Sequence, residues 1–147
     1  MITVQIPEDR QLSALRGFQE TFRLPALSEE ALKRAMVLTD NDRICGVGAF
    51  EQQGTEGIVT RLFIDPALRK MSFGDGLLRA LLNLMERSGV TCFYIPVPEE
   101  ARGFMAAEGL LPASEVPAWG PALPVGSSWY EGRLPAFFQR PCKGGRR

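Results

Sequence analysis

Two basic residues, a serine and two glycines lie in a short loop between an apolar run and a leucine-rich segment. The loop extends from Arg69 to Gly76 and follows the apolar run 57–65. Backbone N–H groups at the start of a helix have no partner within it and lie at the positive end of the helix dipole, so they bind anions such as phosphate. Gly74 leaves room for such a ligand, and Lys70 adds positive charge. The loop therefore predicts a phosphate site.

A purely structural role is the alternative for the same loop. Ser72 is a good helix N-cap, and Asp75 three residues later completes the pattern of a capping box. The spacing fits neither the Gly-Lys-Ser/Thr of a Walker loop nor the glycine fingerprint of a dinucleotide site. The residues alone leave both the phosphate site and the plain helix cap open.

The absence of histidine limits the chemistry. It removes the commonest general base and zinc ligand, and it excludes a serine or cysteine nucleophile activated by histidine. The cysteines Cys45, Cys92 and Cys142 lie far apart without metal-like spacing. We therefore expect no metal site, and we interpret the cysteines as reduced thiols of a cytoplasmic protein.

Composition and charge predict an ordinary globular chain. The 147 residues favour one domain, which we place at residues 1–135, followed by a flexible basic tail at 136–147. Lys plus Arg equal Asp plus Glu at 17 each, which gives no argument for nucleic acid or an acidic membrane as partner. No apolar segment approaches the ~20 residues of a membrane helix, and the first residues lack the order of a signal peptide.

Hydrophobic periodicity predicts the elements that must position the loop. Amphipathic helices begin after Pro7 and at Ser28, and the strongest helix follows the loop and ends at Ser88-Gly89. Residues 36–65 have the pattern of a three-stranded antiparallel meander. The strand 90–97 should pair in parallel with the last strand of that meander, because a helix connects the two. The remaining predicted elements are a strand at 2–6, a helix opened by Pro98, and a strand at 127–134.

This order of elements, together with two local motifs, resembles the GNAT acetyltransferase superfamily. That family carries a Val-Asp-Pro turn, then Arg/Gln-x-x-Gly-x-Gly/Ala, then a leucine-rich helix. Here Ile64-Asp65-Pro66 matches the turn, Arg69 to Gly74 matches the loop, and Leu77-Leu78 opens the helix. The stretch from Ala101 to Leu110 follows the family's Ala-x-x-Phe-Tyr-x-x-x-Gly-Phe helix. The resemblance implies an α/β (α+β) fold with a mixed sheet, order β-α-α-β-β-β-α-β-α-β-β, and splayed central strands.

The resemblance also implies an N-acyltransferase that uses acetyl-coenzyme A as acyl donor and needs no metal. The amine of a small-molecule or peptide acceptor would attack the thioester directly, and a backbone N–H would polarise its carbonyl. A homodimer is compatible with the family. The implied donor-binding residues are the strand residues Leu62, Phe63 and Ile64 for the pantetheine arm, and the loop residues Arg69, Lys70, Met71, Ser72, Phe73 and Gly74 for the pyrophosphate.

Several positions depart from the family pattern. Ser72 replaces the first loop glycine and would be strained at a positive φ, and Asp75 would repel phosphate. The positions that often carry acid–base groups in the family hold residues that cannot supply them, namely Met105 for tyrosine, Pro98 for asparagine, and Ile58 and Thr60 for a carboxylate. These departures favour two further hypotheses: a non-catalytic module that binds coenzyme A or regulates a partner, and a domain that no longer binds coenzyme A.

No side chain is assigned firmly to catalysis. Tyr94 is a weak candidate for the proton donor, and Cys92 on the same face of the strand could carry an acyl group. Packing in the core is the alternative for both, because buried strands are rich in aromatic residues and cysteine. Glu56, Glu99 and Glu100 are expected near the rim of the cleft, where solvated surface charge is the alternative to a general base.

Overall fold

A computed structural model describes residues 1–69, 72–115 and 117–134 of the chain. The seven strands found there are β1 (Ile2–Gln5), β2 (Ala35–Asp40), β3 (Arg43–Gln53), β4 (Glu56–Ile64), β5 (Cys92–Pro98), β6 (Leu111–Pro112) and β7 (Ser127–Arg133). The helices are α1 (Leu12–Thr21), α2 (Glu29–Leu32), α3 (Phe73–Arg87) and α4 (Arg102–Ala107). Among the helices of these described residues, none has the length and apolar character that crossing a membrane requires. The predicted tail at 136–147 lies outside the described residues.

The strands form one mixed sheet in the order β1-β2-β3-β4-β5-β7-β6. The β4–β5 pair is parallel, as predicted, with Glu56 opposite Cys92 and Ile58 opposite Tyr94. The pairs β1–β2, β2–β3, β5–β7 and β6–β7 are antiparallel. The parallel register joins residues 56–58 of β4 to residues 92–94 of β5. The splay of the central strands stays a prediction. The fold class expected from the sequence is confirmed.

The chain divides into two compact units, and the first comprises residues 1–51 and 61–84. Its core contains Leu15 and Phe18 of α1 packed on β2 and β3, with Phe63 of β4 against them. The Phe63 ring lies 6.0 Å from the Phe18 ring and 5.2 Å from the Phe22 ring, centroid to centroid. These aromatic contacts fix the face of β4 that α1 covers.

The second unit comprises residues 52–60 together with the described residues from 85 onward. Ile58, Cys92, Tyr94 and Trp129 form a buried cluster across β4, β5 and β7. Gly132 of β7 lies directly over the Phe93 ring, where an added Cβ would be 2.5 Å from Phe93 Cζ. Large side chains on β5 therefore fill both faces of the sheet in this unit, in agreement with the buried strand predicted at 90–97.

The main local differences from prediction are at helix starts. The chain between Pro7 and α1 forms a 3-10 turn at Asp9–Gln11, in which Glu8 and Gln11 complete a reciprocal capping box. The helix predicted directly after Pro98 likewise begins as a 3-10 turn, Glu99–Ala101, before α4.

At the predicted Asn41-Asp42 turn both residues have positive φ, 51° and 71°, as a two-residue type I′ hairpin requires.

Candidate functional site

The loop after β4 is anchored to the sheet at its first residue, Asp65. The Asp65 backbone N–H donates to the Cys45 carbonyl of β3 at 2.8 Å. The Asp65 carboxylate then caps a 3-10 turn at Pro66–Leu68 by accepting from the Ala67 N–H at 3.0 Å. Aspartate followed by proline suits such a turn start, because proline has no N–H to leave unpaired. The Ile64-Asp65-Pro66 motif therefore sets the direction in which the loop leaves the sheet.

Arg69 folds back over the end of β4. Its Nε donates to the Ile64 carbonyl at 3.0 Å, and its guanidinium carbon lies 5.0 Å from the centroid of the Phe63 ring. A cation over an aromatic face is attracted by the ring quadrupole, so the two contacts act together. They hold positive charge beside the strand end where the sequence predicts the donor-binding residues.

The backbone at Ser72 is left-handed, with a φ of 62°. This is the positive φ at which a serine is expected to be strained, and Ser72 adopts it immediately before α3. The Ser72 carbonyl accepts from the Gly76 N–H at 3.3 Å, which closes the first turn of the helix. The loop therefore keeps a glycine-like conformation at this position without the glycine. Lys70 and Met71 lie outside the described residues.

The first turn of α3 contains both glycines and a compensated carboxylate. A Cβ built at Gly76 would meet no atom within 4 Å, so space is open beside the helix start. Asp75 Oδ1 lies 3.5 Å from Arg79 Nε one turn along the helix, and these side chains are only 16% and 17% exposed. Because Arg79 offsets the charge of Asp75, the expected repulsion of a phosphate is reduced.

Two of the three predicted strand residues, Leu62 and Ile64, direct their backbone groups to the edge of β4 that faces away from β3. The carbonyls of Arg61 and Phe63 point toward β3, since Cβ atoms built at Gly48 and Gly46 would lie 3.4 and 3.0 Å from them. Backbone groups of successive residues point to opposite edges of a strand. Leu62 and Ile64 therefore direct their N–H and C=O groups away from β3. Phe63 contributes its ring instead.

The sequence profile of the acetyltransferase (GNAT) family matches residues 5–107. The chain belongs to this family. The search of curated proteins found no match.

Solved GNAT structures share the fold. N-acetylglutamate synthase from Neisseria gonorrhoeae, complexed with coenzyme A and N-acetyl-glutamate, superposes with a TM-score of 0.68 at 16% identity, over 91% of this chain and 35% of that one. The chain thus spans about a third of the synthase. A GNAT acetyltransferase from Staphylococcus aureus Mu50 gives a TM-score of 0.69 at 14% identity, over 91% and 99% of the two chains. The ribosomal-protein-S18-alanine N-acetyltransferase from Escherichia coli gives 0.64 at 18% identity, over 89% and 91%.

The GNAT position that often carries a tyrosine is occupied by a core residue. Met105 lies in α4 and is 4% exposed. Glu99 and Glu100 are exposed in the preceding 3-10 turn, and Glu56 accepts a hydrogen bond from Trp119 Nε1 at 2.9 Å. These carboxylates are thus either solvated or engaged, which agrees with the structural alternative considered for them.

Tyr94 lies in the buried cluster with Cys92, on the face that the strand pattern predicted. A hydrogen bond between the two side chains and then burial raise the pKa of Tyr94 to about 12. The hydroxyl is therefore protonated at neutral pH but gives up its proton reluctantly. Its role as proton donor stays a prediction, and the contacts favour packing.

The sequence did not single out one charged contact in the first unit. Arg61 Nη1 donates to Gln19 Oε1 at 2.7 Å, and Gln19 is buried on α1. Burial lowers the pKa of Arg61. The available signal was an arginine inside the apolar run 57–65, where a strand buried on both faces would hold only apolar side chains.

Proposed function

We propose that this GNAT chain transfers an acyl group, acetyl in the simplest case, from acyl-coenzyme A to an amine. The observation that carries the proposal is the junction between β4 and α3. It combines a left-handed residue before a helix start, open space at Gly76 and the Arg69 cation beside the strand end. Coenzyme A in the superposable synthase supports the same donor here.

The donor would bind in two parts. Its pyrophosphate would accept from backbone N–H groups of the loop Arg69 to Gly74, with the α3 dipole and Arg69 supplying positive potential. Its pantetheine amides would pair with the outward-pointing backbone groups of Leu62 and Ile64, as a short added strand. Arg69 already occupies the Ile64 carbonyl, so the Ile64 N–H and the Leu62 groups are the ones we assign to the arm.

The chemistry we propose is direct attack by a neutral amine. The amine nitrogen bonds to the thioester carbonyl carbon, the C–S bond breaks, and its electron pair goes to sulfur. The nitrogen loses one proton to solvent, and the thiolate gains one. Positioning the two reactants supplies much of the rate in such a reaction, because it converts a bimolecular encounter into a unimolecular step. No side chain is assigned as general acid or base.

Thermal unfolding with and without millimolar acetyl-coenzyme A tests the donor site. A ligand that binds only the folded state, present at ~100 times its dissociation constant, adds about 2.7 kcal/mol to the free energy of unfolding. Gly74→Glu should abolish the shift, because it places a carboxylate where the pyrophosphate would bind. The matched control is Gly103→Glu at an exposed position of α4, where an added Cβ meets no atom within 4 Å. A wild-type protein without a shift would contradict the proposal.

The second candidate function is a non-catalytic module that binds coenzyme A and regulates a partner. The buried thioether of Met105 favours it, because this side chain cannot donate a proton to a departing thiolate. Release of free coenzyme A thiol in the presence of amines distinguishes the candidates, since only the transferase releases it. The cytoplasmic location, the peptide or small-molecule acceptor and the homodimer stay predictions.

A further inference from the structure

Arg61 has no carboxylate partner among the described residues, and it lies one residue before the strand segment that we assign to the donor. Its described polar contact is the neutral amide of Gln19, at 2.7 Å. Among residues 1–69, 72–115 and 117–134, no carboxylate forms an ion pair with it. By contrast, Arg34 and Arg79 of the same unit each face a carboxylate. The Arg61 guanidinium is therefore partly buried and is not neutralised by any described carboxylate.

Partial burial without an ion pair is unfavourable for a guanidinium, although less so than full burial. An arginine stays charged at any physiological pH, and a buried charge normally has an opposite charge or several hydrogen bonds. Desolvation is the cause that lowers the pKa of Arg61, with no carboxylate opposing it. A planar guanidinium is also matched in shape to a carboxylate, with which it forms paired hydrogen bonds. An anionic ligand group would thus form the ion pair with Arg61 that no described carboxylate forms.

The side chain lies on the face of β4 that α1 covers. Phe63, two residues further along β4, packs against Phe18 and Phe22 on that face. Gln19, the hydrogen-bond partner of Arg61, also lines a cavity of about 220 Å³ between α1 and α2. Arg61 itself is not one of the lining residues, which include Leu12, Leu15, Arg16, Leu27 and Glu29. This volume would hold about seven waters at ~30 Å³ each, which suits a small organic acid and not a folded partner. The charged lining residues Arg16 and Glu29 are exposed and of opposite sign, and Arg61, next to Gln19, is the neighbouring cation without a described carboxylate partner.

We propose that Arg61, held in place by Gln19, binds a carboxylate of the acyl acceptor. The acceptor class is then a small amino acid, an amine that carries a carboxylate. This inference rests on the proposed acyl transfer and deepens it by naming the acceptor. Arg61 would contact the substrate directly, and Gln19 would act as a positioning residue.

The experiment compares acceptors that differ only in charge. Each common L-amino acid and its α-carboxamide are offered with acetyl-coenzyme A, and thiol release is followed. We expect at least one amino acid to be acetylated, with kcat/KM about 10- to 100-fold above that of its carboxamide, the range expected for a hydrogen bond to a charged group. Wild-type protein that uses acid and carboxamide equally, or uses neither, overturns the inference, and this comparison requires no variant.

Variants then assign the effect to Arg61. In Arg61→Met we expect kcat/KM for the acid to fall about 10- to 100-fold and that for the carboxamide to stay unchanged. Arg61→Lys, which keeps a charge, should restore part of the preference, and the exposed Arg87→Met should change neither value. Equal losses for acid and carboxamide in Arg61→Met would mean a merely structural role and would overturn the inference.

A binding measurement separates this inference from the proposed function. With coenzyme A present, the preferred amino acid should raise the melting temperature of the wild type and of Arg87→Met but not that of Arg61→Met. All three proteins should respond equally to acetyl-coenzyme A alone. Loss of the amino-acid shift in wild type, with the acetyl-coenzyme A shift intact, refutes the acceptor class alone. Absence of both shifts refutes the acyl transfer as well.

Discussion

Three residues of the loop and the helix start, Ser72, Asp75 and Arg69, differ in how the structure accommodates them. Ser72 adopts the left-handed backbone that a glycine adopts without strain. Arg79 offsets the carboxylate that Asp75 introduces at the helix start. Arg69 is tied to the end of β4 by one hydrogen bond and one aromatic contact. Of the two substitutions that appear damaging in the sequence, Asp75 is offset by Arg79 one helical turn away, whereas Ser72 adopts the glycine-like backbone at a cost in strain.

Replacing Ser72 by glycine should stabilise the fold slightly. A left-handed backbone costs a residue with a side chain ~1–2 kcal/mol, and glycine loses ~0.5–1 kcal/mol through its freedom in the unfolded chain. We expect Ser72→Gly to raise the free energy of unfolding, measured in urea, by up to about 1 kcal/mol. Ser13→Gly is the matched control inside α1, where the same change should cost about 0.5 kcal/mol. Equal destabilisation by both variants would refute the strain at Ser72.

At the scale of elements, the alternation of side-chain directions along β4 is interrupted once. Gly57 lies against α3, since an added Cβ would be 2.5 Å from Met85 Cε, and Ile58 packs on the opposite face with Tyr94. Ile64, an even number of residues further on, nevertheless lies beside Leu77 of α3, where both approach Gly46. Strict alternation would leave Ile58 and Ile64 on one face. The alternation is therefore interrupted between them, in the region that precedes the donor-binding residues.

The sequence could predict the elements but not this interruption. Each strand and helix leaves a local period, and the leucines of α3 or the Asn41-Asp42 turn are recognisable within a few residues. The run 57–65 is apolar on both faces, so a change of face leaves no trace in its pattern. The site has the same limitation. The Arg61–Gln19 contact joins residues 42 positions apart, and the return of Arg69 to Ile64 depends on loop geometry. The motif residues alone predict the location of the loop and not its contacts.

Gly46 of β3 should be intolerant of a side chain, with consequences for the donor site. A Cβ there would lie 2.7 Å from Ile64 Cδ1 and 3.0 Å from the Phe63 carbonyl oxygen, which is rigid backbone. We expect Gly46→Ala to lower the free energy of unfolding by about 1–3 kcal/mol, because the strand must move to relieve the overlap. The movement should also reduce the thermal shift caused by acetyl-coenzyme A.

Gly17→Ala in α1 is the control for this element. Its added Cβ meets no atom within 4 Å, so alanine should raise the free energy of unfolding by about 0.5–1 kcal/mol through helix propensity. Its acetyl-coenzyme A shift should equal that of the wild type. A Gly46→Ala protein as stable as the wild type would show that β3 and β4 adjust at no cost, contrary to the close approach described here.

At the scale of the whole molecule, charge does not direct ligands to this protein. Lys plus Arg and Asp plus Glu are equal at 17, so long-range attraction of an anionic donor is absent. In the functions proposed above, the loop itself attracts the donor and Arg61 recognises the acceptor. The organisation of residues 1–135 as one domain stays a prediction. Global stability, in turn, depends on groups buried far along the chain from the loop, and Tyr94 is one of these groups that titrates.

Tyr94 should make the whole fold less stable at alkaline pH. Its hydrogen bond with Cys92, then burial and the nearby charges of Glu56 and Glu131, raise its pKa from 10.0 to about 12 in the folded protein. The folded form therefore keeps a proton that the unfolded chain loses above pH 10. The resulting stabilisation is fully present below pH 10 and is lost as the pH rises through 12.

Urea unfolding of wild type and Tyr94→Phe between pH 7 and 12 measures this contribution. Phenylalanine keeps the ring in the cluster but removes the hydroxyl, so the wild type should be more stable at neutral pH by about 1 kcal/mol, the usual worth of one hydrogen bond. This difference in the free energy of unfolding should stay constant to pH 10 and then fall steadily, so that the Tyr94→Phe variant becomes the more stable protein before pH 12. Because all other titrating groups are common to both proteins, a difference that stays constant over the whole range would mean that Tyr94 titrates alike in the folded and unfolded chains. That result would refute the contact with Cys92 as the cause of the raised pKa.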